Sequence, residues 1–295
     1  MAFNRQTFKT RALTAIVFVV VMLAGLLINH WSFLVLFSII HFGCWWEYLR
    51  LTERIHNTSF HVYTKLGFLV MGYGLMLWFC GPTYHINDYG LQKNLSLPIS
   101  AAGFTLLLIG IFQKNAIKLK GFAMALLGLI YISLCFGFMI SLWQQSIQWC
   151  NISNNTMTRA PHILIASIWI NDTMAYIVGS LIGKRPLSKI SPKKTWEGTI
   201  GGIILSTIII AFVAPLILVG QLYTPLVIFS GLIALIASVA GTFGDLFESK
   251  LKRMAGVKDS GSLMPGHGGF LDRFDSLLFA TPAVWLYLYI LINMQ

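Results

Sequence analysis

The chain has 295 residues, 56% hydrophobic and 11% charged, with 21 Lys and Arg against 10 Asp and Glu, a net charge of +11 and a mean hydropathy of +0.73. Soluble domains carry about a quarter charged residues, so this composition excludes a soluble globular fold. Its four cysteines (Cys44, Cys80, Cys135, Cys150) lack the spacing of a zinc site or a disulfide framework.

Nine apolar blocks approach the roughly 20 residues that cross a bilayer core of about 30 Å. They run over 12–29, 31–46, 65–81, 97–113, 121–143, 161–183, 198–220, 223–247 and 276–294. The blocks are continuously apolar rather than alternating, which predicts an all-α polytopic membrane protein with about nine transmembrane helices and disfavours a β-barrel. A basic tail (Arg5, Lys9, Arg11) precedes the first block, which has no small-residue cleavage site and reads as a retained anchor. With the N-terminus in the cytoplasm and the C-terminus outside, nineteen Lys and Arg fall inside and only Lys93 and Arg159 outside. That asymmetry is the positive-inside pattern. It accounts for the net charge through topology and contact with anionic membrane lipids, and gives no argument for nucleic acid.

The expected organisation is an N-terminal region, 1–160, of about five scaffold or lipid-facing spans, and a C-terminal catalytic region, 161–295. In the first, Glu47 closes the second span beside Trp45, Trp46 and Tyr48, an aromatic belt at an interface. The histidines at 30, 41, 56, 61, 85 and 162 have no carboxylate or His partner at ligand spacing and read as structural or interfacial. Seven of the ten acidic residues lie between 172 and 275, in or near the polar loops 184–197 and 248–275.

Asp172 sits midway along the sixth span, where an ionisable group costs about 2.5–3.5 kcal/mol on insertion scales. It either pairs with another helix or lines a polar cavity with Thr173 and Tyr176. Loop 184–197 offers Lys193 and Lys194 as point charges for phosphates, and Trp196 to stack on a base or anchor the interface. Asp245 ends the eighth span, with Glu248 and Ser249 on the same helical face and Lys252 and Arg253 one turn on. Asp272 and Asp275 open the ninth. Two carboxylates such as Asp245 and Asp275, if about 5 Å apart, repel by about 3 kcal/mol at an effective dielectric near 20. They then need a proton, a base or a divalent cation. Oxygen donors without Cys or paired His select Mg²⁺ over Zn²⁺; pairing with Arg253 and Arg273 is the alternative. Between the acids, Pro265-Gly266-His267-Gly268-Gly269 has the glycines of an anion-cradling turn, with His267 as phosphate donor or hinge. No Walker sequence is present.

Residues 249–275, SKLKRMAGVKDSGSLMPGHGGFLDRFD, resemble the signature of phosphatidate cytidylyltransferases, the CDP-diacylglycerol synthases. Every fixed position is met: Ser249, Lys252-Arg253, Lys258-Asp259, Pro265, His267-Gly268-Gly269, Asp272-Arg273 and Asp275. Asn171-Asp172-Thr173, Ser191-Pro192-Lys193-Lys194-Thr195-Trp196-Glu197-Gly198 and Gly244-Asp245-Leu246 also resemble family blocks. The likeness covers about 165–280, and the compact N-terminus is similar to that of bacterial members.

The resemblance implies transfer of the cytidylyl group of CTP to phosphatidic acid, giving CDP-diacylglycerol and pyrophosphate, on the cytoplasmic side of a bacterial inner membrane. It implies a catalytic group of Asp245, Asp272, Asp275, Lys252 and Arg253, with Asp245 and Asp275 as ligands of Mg²⁺ in a two-cation centre. It implies substrate contacts at Asp172, Lys193, Lys194, Trp196, Glu197, Ser249, Lys258, Asp259, His267, Gly268, Gly269 and Arg273. The assembly stays open, a homodimer among the options. Competing expectations are another CTP-dependent lipid enzyme (similar to CDP-archaeol synthase or to a polyprenol or phytol kinase) and an ion-coupled transporter.

Overall fold

The computed structural model describes residues 5–113, 118–149, 160–261 and 268–294. Among these the chain is almost wholly helical: α1 (Arg5–Leu27), α2 (His30–His56), α3 (Val62–Leu77), α4 (Leu91–Asn94), α5 (Ser96–Phe112), α6 (Leu119–Gly128), α7 (Cys135–Trp149), α8 (Ala160–Ile182), α9 (Trp196–Val219), α10 (Thr224–Met254) and α11 (Leu271–Asn293). A π-helical turn, Leu129–Leu134, joins α6 to α7. The described sheet is one small hairpin, His85–Ile86 against Tyr89–Gly90, turned at Asn87 with φ 52°. With α4 joined to α5 and α6 to α7, the helices correspond one for one to the nine apolar blocks. Eight are long and apolar enough to cross a membrane; the described apolar part of α1, Ile16–Leu27, is shorter.

Several helices overrun their apolar blocks. α2 continues to His56, α10 to Met254, and α11 begins at Leu271. Hydropathy marks only the lipid-compatible part of a helix, whereas backbone hydrogen bonding continues into polar sequence until a cap stops it. For α2 the caps are explicit. Asn29 and Ser32 form a reciprocal capping box, with Ser32 N donating to Asn29 Oδ1 (2.8 Å) and Asn29 N to Ser32 Oγ (3.0 Å). Asn57 ends the helix in the left-handed region, φ 47°.

Contacts group the chain into two compact units, Met1–Ile140 with Leu251–Phe274, and Ser141–Lys250 with Asp275–Gln295. In the first, α3 and α5 pack through small residues. A Cβ on Gly67 would stand 2.7 Å from Leu107 N, and one on Gly103 would meet the Met71 backbone. Backbones approach this closely in membrane helix pairs because lipid offers little drive to bury large apolar surfaces against protein. The first unit's core also holds Phe33, Phe37, Trp45, Phe68 and Phe136. Ser133, in the π turn, bonds His41 Nε2 (2.9 Å) and accepts from Trp45 Nε1 (2.8 Å).

In the second unit, α8 and α9 meet where Gly198 and Gly202 face Ala175 and Gly179: a Cβ on Gly198 would stand 2.7 Å from Ala175 O, and one on Gly202 2.8 Å from Ala175 Cβ. Buried Ser206 and Ser238 hydrogen-bond across α9 and α10 (2.7 Å). Gly244 of α10 lets Ser276 approach: its Cβ would lie 3.1 Å from Ser276 Cα.

Candidate functional site

The candidate residues fall into two clusters, one in each unit. In the second unit the loop between α8 and α9 is a folded hairpin. Leu187 N donates to Lys194 O (2.7 Å), Lys194 N to Ser191 O (3.2 Å) and Trp196 N to Arg185 O (2.9 Å). Thr195 then caps α9, its Oγ1 accepting from Gly198 N at 3.1 Å. Lys194 is therefore fixed by backbone bonds on both sides of it. Its ammonium nitrogen lies 2.7 Å from Asp245 Oδ2, the side chains being 36% and 23% exposed. Burial alone would lower the Lys194 pKa, but Asp245, with Asp172 and Asp275 adding to its field, raises it above the ordinary lysine value.

Asp275, expected beside Asp245, is buried at the start of the second unit's part of α11 and accepts from Ser276 N at 2.6 Å. Asp172 is exposed along α8. The structure thus pairs Asp245 directly with Lys194, while Asp172 and Asp275 act on the same lysine through their charge. The oxygen-only donor set fits a hard divalent ion. As the side chains stand, no group of three or more His, Cys, Asp or Glu among the described residues is arranged to hold a metal.

Other expected contacts of this unit sort by exposure. Lys193 is exposed and Trp196 is 51% exposed. Glu197 does different work: its Oε2 accepts from Lys184 N (3.1 Å) and Arg185 N (3.2 Å), holding the base of the hairpin. Ser249 is half-buried near the end of this unit's part of α10.

The first unit's cluster is a latch. Lys252 Nζ donates to Asp272 Oδ1 at 2.7 Å, the two side chains 15% and 10% exposed. Asp272 Oδ2 accepts from Gly269 N (2.7 Å) and Ser260 N (2.9 Å), with Ser260 Oγ also at 2.9 Å. Both oxygens of Asp272 and the charge of Lys252 are spent on holding this loop, so neither presents a free group to a substrate. Gly268, at φ 81°, sits where a Cβ would press on the Asp272 carboxylate. Arg253, Lys258, Asp259 and Arg273 are exposed on the same segment. His267 lies outside the described residues.

One buried carboxylate of this cluster is missed by the sequence reading. Glu47, expected in an interfacial belt, is 3% exposed and reaches the latch: Oε1 accepts from Phe270 N (3.0 Å), Oε2 from Leu271 N (2.9 Å) and Ser260 Oγ (2.7 Å). The one signal for it in the sequence is a lone acid inside an otherwise uncharged stretch of α2.

Residues 9–291 match the family model described as cytidylyltransferase family. The chain is similar to a phosphatidate cytidylyltransferase of Staphylococcus saprophyticus, 33% identical over 283 residues that cover 93% of this chain and 96% of that one. It is 40% identical over 184 residues to the phosphatidate cytidylyltransferase of Bacillus subtilis, covering 62% of this chain and 64% of the relative. A Helicobacter pylori protein of the same name is 44% identical over 133 residues, 43% and 48% of the two chains. The Bacillus and Helicobacter alignments thus span less than two thirds of those relatives.

Proposed function

The chain belongs to the cytidylyltransferase family, and on that premise we propose that it transfers the cytidylyl group of CTP to phosphatidic acid. An oxygen of the lipid phosphate attacks the α-phosphorus of CTP, the bond from that phosphorus to the β-phosphate oxygen breaks, and pyrophosphate leaves with CDP-diacylglycerol as product. Such transfers need positioning and charge neutralisation more than covalent help. A phosphomonoester is already anionic near neutral pH, so no strong base is required.

The observation that carries this reading is the Lys194–Asp245 pair with Asp172 and Asp275 acting on it. A phosphate arriving at Lys194 exchanges one anionic partner for another and releases carboxylate oxygens. Asp245 and Asp275 would hold Mg²⁺, which supplies charge neutralisation at phosphate oxygens when bound. Exposed Lys193, beside the fixed Lys194, would meet the triphosphate, and Arg253, Lys258 and Arg273 the remaining phosphate charge. Asp272 and Glu197 act by positioning, which their bonds to backbone amides support, and Lys252 through its ion pair with Asp272.

We place the site on the cytoplasmic side of a bacterial inner membrane. The support is the nineteen-to-two division of basic residues and the side on which CTP is found. The test is product analysis in detergent with phosphatidic acid and CTP labelled at the α-phosphate. Label in the lipid with pyrophosphate released is the expected result. Transfer of the γ-phosphate with release of CDP would make the chain a kinase, and neither product would remove the enzymatic reading.

A further inference from the structure

We propose that Glu47 is a positioning residue that ties Ser260 to Phe270 and Leu271 and so keeps the exposed basic groups flanking these residues, Lys258 and Arg273, ready for phosphate. The inference rests on the proposed reaction for its kinetic consequence, but its structural part does not. Glu47 comes from α2, more than 200 residues before the segment it holds. Its carboxylate takes the amides of Phe270 and Leu271, at the first turn of α11, where backbone N–H groups have no intrahelical acceptor. A negative charge there also faces the positive end of the helix dipole. Asp272 caps the same turn from within, through Gly269 N. Ser260 Oγ lies between the two acids, 2.7 Å from Glu47 Oε2 and 2.9 Å from Asp272 Oδ2, and its single proton serves both.

The fit leaves no slack. A Cβ at Gly261 or at Gly269 would strike the Glu47 carboxylate, so both glycines are places where the loop backbone closes over that side chain. Glu47 is buried, while Lys258, two residues before Ser260, and Arg273, two residues after Leu271 in α11, are exposed. A buried carboxylate bonded to Ser260 and to the amides of Phe270 and Leu271 fixes the backbone from which these two basic side chains extend toward anions.

The kinetic signature follows from population. If removing the clamp lowers the fraction of chains with the competent loop, the apparent affinity falls by that fraction, while saturating substrate restores the ordered state. A role in overall stability alone would instead lower the amount of active enzyme, and so the maximal rate, at unchanged KM. The experiment uses the full chain in detergent, with Glu47→Gln as the near-isosteric variant and Ser260→Ala as a milder one that removes only the bridging hydroxyl. Hydrogen exchange of peptides covering 268–274 is compared with that of peptides from α3. Faster exchange at 268–274 alone, by roughly tenfold for Glu47→Gln and less for Ser260→Ala, is expected. In turnover, KM for CTP or phosphatidic acid should rise about tenfold with kcat within about threefold. Unchanged exchange at 268–274 in both variants overturns the clamp, whatever the reaction proves to be. Faster exchange with a fallen kcat and unchanged KM overturns its link to substrate binding. Failure of the wild type to make CDP-diacylglycerol counts against the proposed reaction and leaves the exchange result to decide the clamp.

Discussion

Lys194 Nζ lies 2.7 Å from Asp245 Oδ2, joining the hairpin before α9 to the polar end of α10. The backbone of the lysine is held on both sides, through Ser191 and Leu187, so the hairpin sets where its side chain starts. Asp172 and Asp275 contribute to the same field. Removing either partner therefore does more than erase a surface contact, because it leaves an uncompensated charge in a half-buried place.

Asp245→Asn should reduce pyrophosphate release by two orders of magnitude or more, as roughly expected for loss of a carboxylate that faces phosphate charge or its counter-ion. Asp275→Asn should do the same. A residual rate above about a tenth of wild type in either would remove that residue from the centre.

Lys193→Ala should raise the apparent KM for CTP by roughly 10- to 150-fold with little change in kcat, since a charge-assisted bond is worth about 1.5–3 kcal/mol. A lysine that serves topology alone would shift it less than about threefold. A rise in KM for phosphatidic acid only would assign the loop to the lipid headgroup.

The Lys194 pKa is raised by its carboxylate neighbours, so the folded chain holds the proton more tightly than the unfolded chain. The stabilisation from the pair is fully present below the ordinary lysine pKa and is lost as pH rises through the higher folded value. Labelling of Lys194 by an amine-acylating reagent, followed by mass spectrometry across pH, should therefore move toward lower pH in Asp245→Asn. An unmoved Lys194 curve in that variant would contradict the ion pair.

Asp272→Ala should destabilise the protein by roughly 1–3 kcal/mol, because Gly269 N, Ser260 N and the Lys252 ammonium all lose their acceptor. The drop should appear in thermal unfolding in detergent before any kinetic assay. An unchanged midpoint would mean that the carboxylate is not a latch.

Orientation is tested by single cysteines in a cysteine-free background. An impermeant thiol reagent should reach position 153 from outside the cell and position 190 only after permeabilisation. The reverse pattern would invert the topology and the side of the site.

The sequence by itself determined the helical, membrane-spanning class, the nine apolar blocks and the concentration of acids beyond Asp172. These are legible because hydropathy and motif spacing are local properties, readable within about 30 residues. The tertiary structure decided which acids do what. Asp245 pairs with Lys194 in one unit, with Asp275 adding to its field, while Asp272 and Lys252 bond each other in a latch in the other. Glu197, expected at the substrate, also supports the hairpin, because its partners are backbone amides, which no side-chain pattern reveals. Glu47 was out of reach altogether. A carboxylate beside aromatic residues at the end of an apolar run reads locally as interfacial. Only the folded chain brings it to Phe270 and Leu271, more than 200 residues away, where unpaired helix amides give a buried charge its reason to exist.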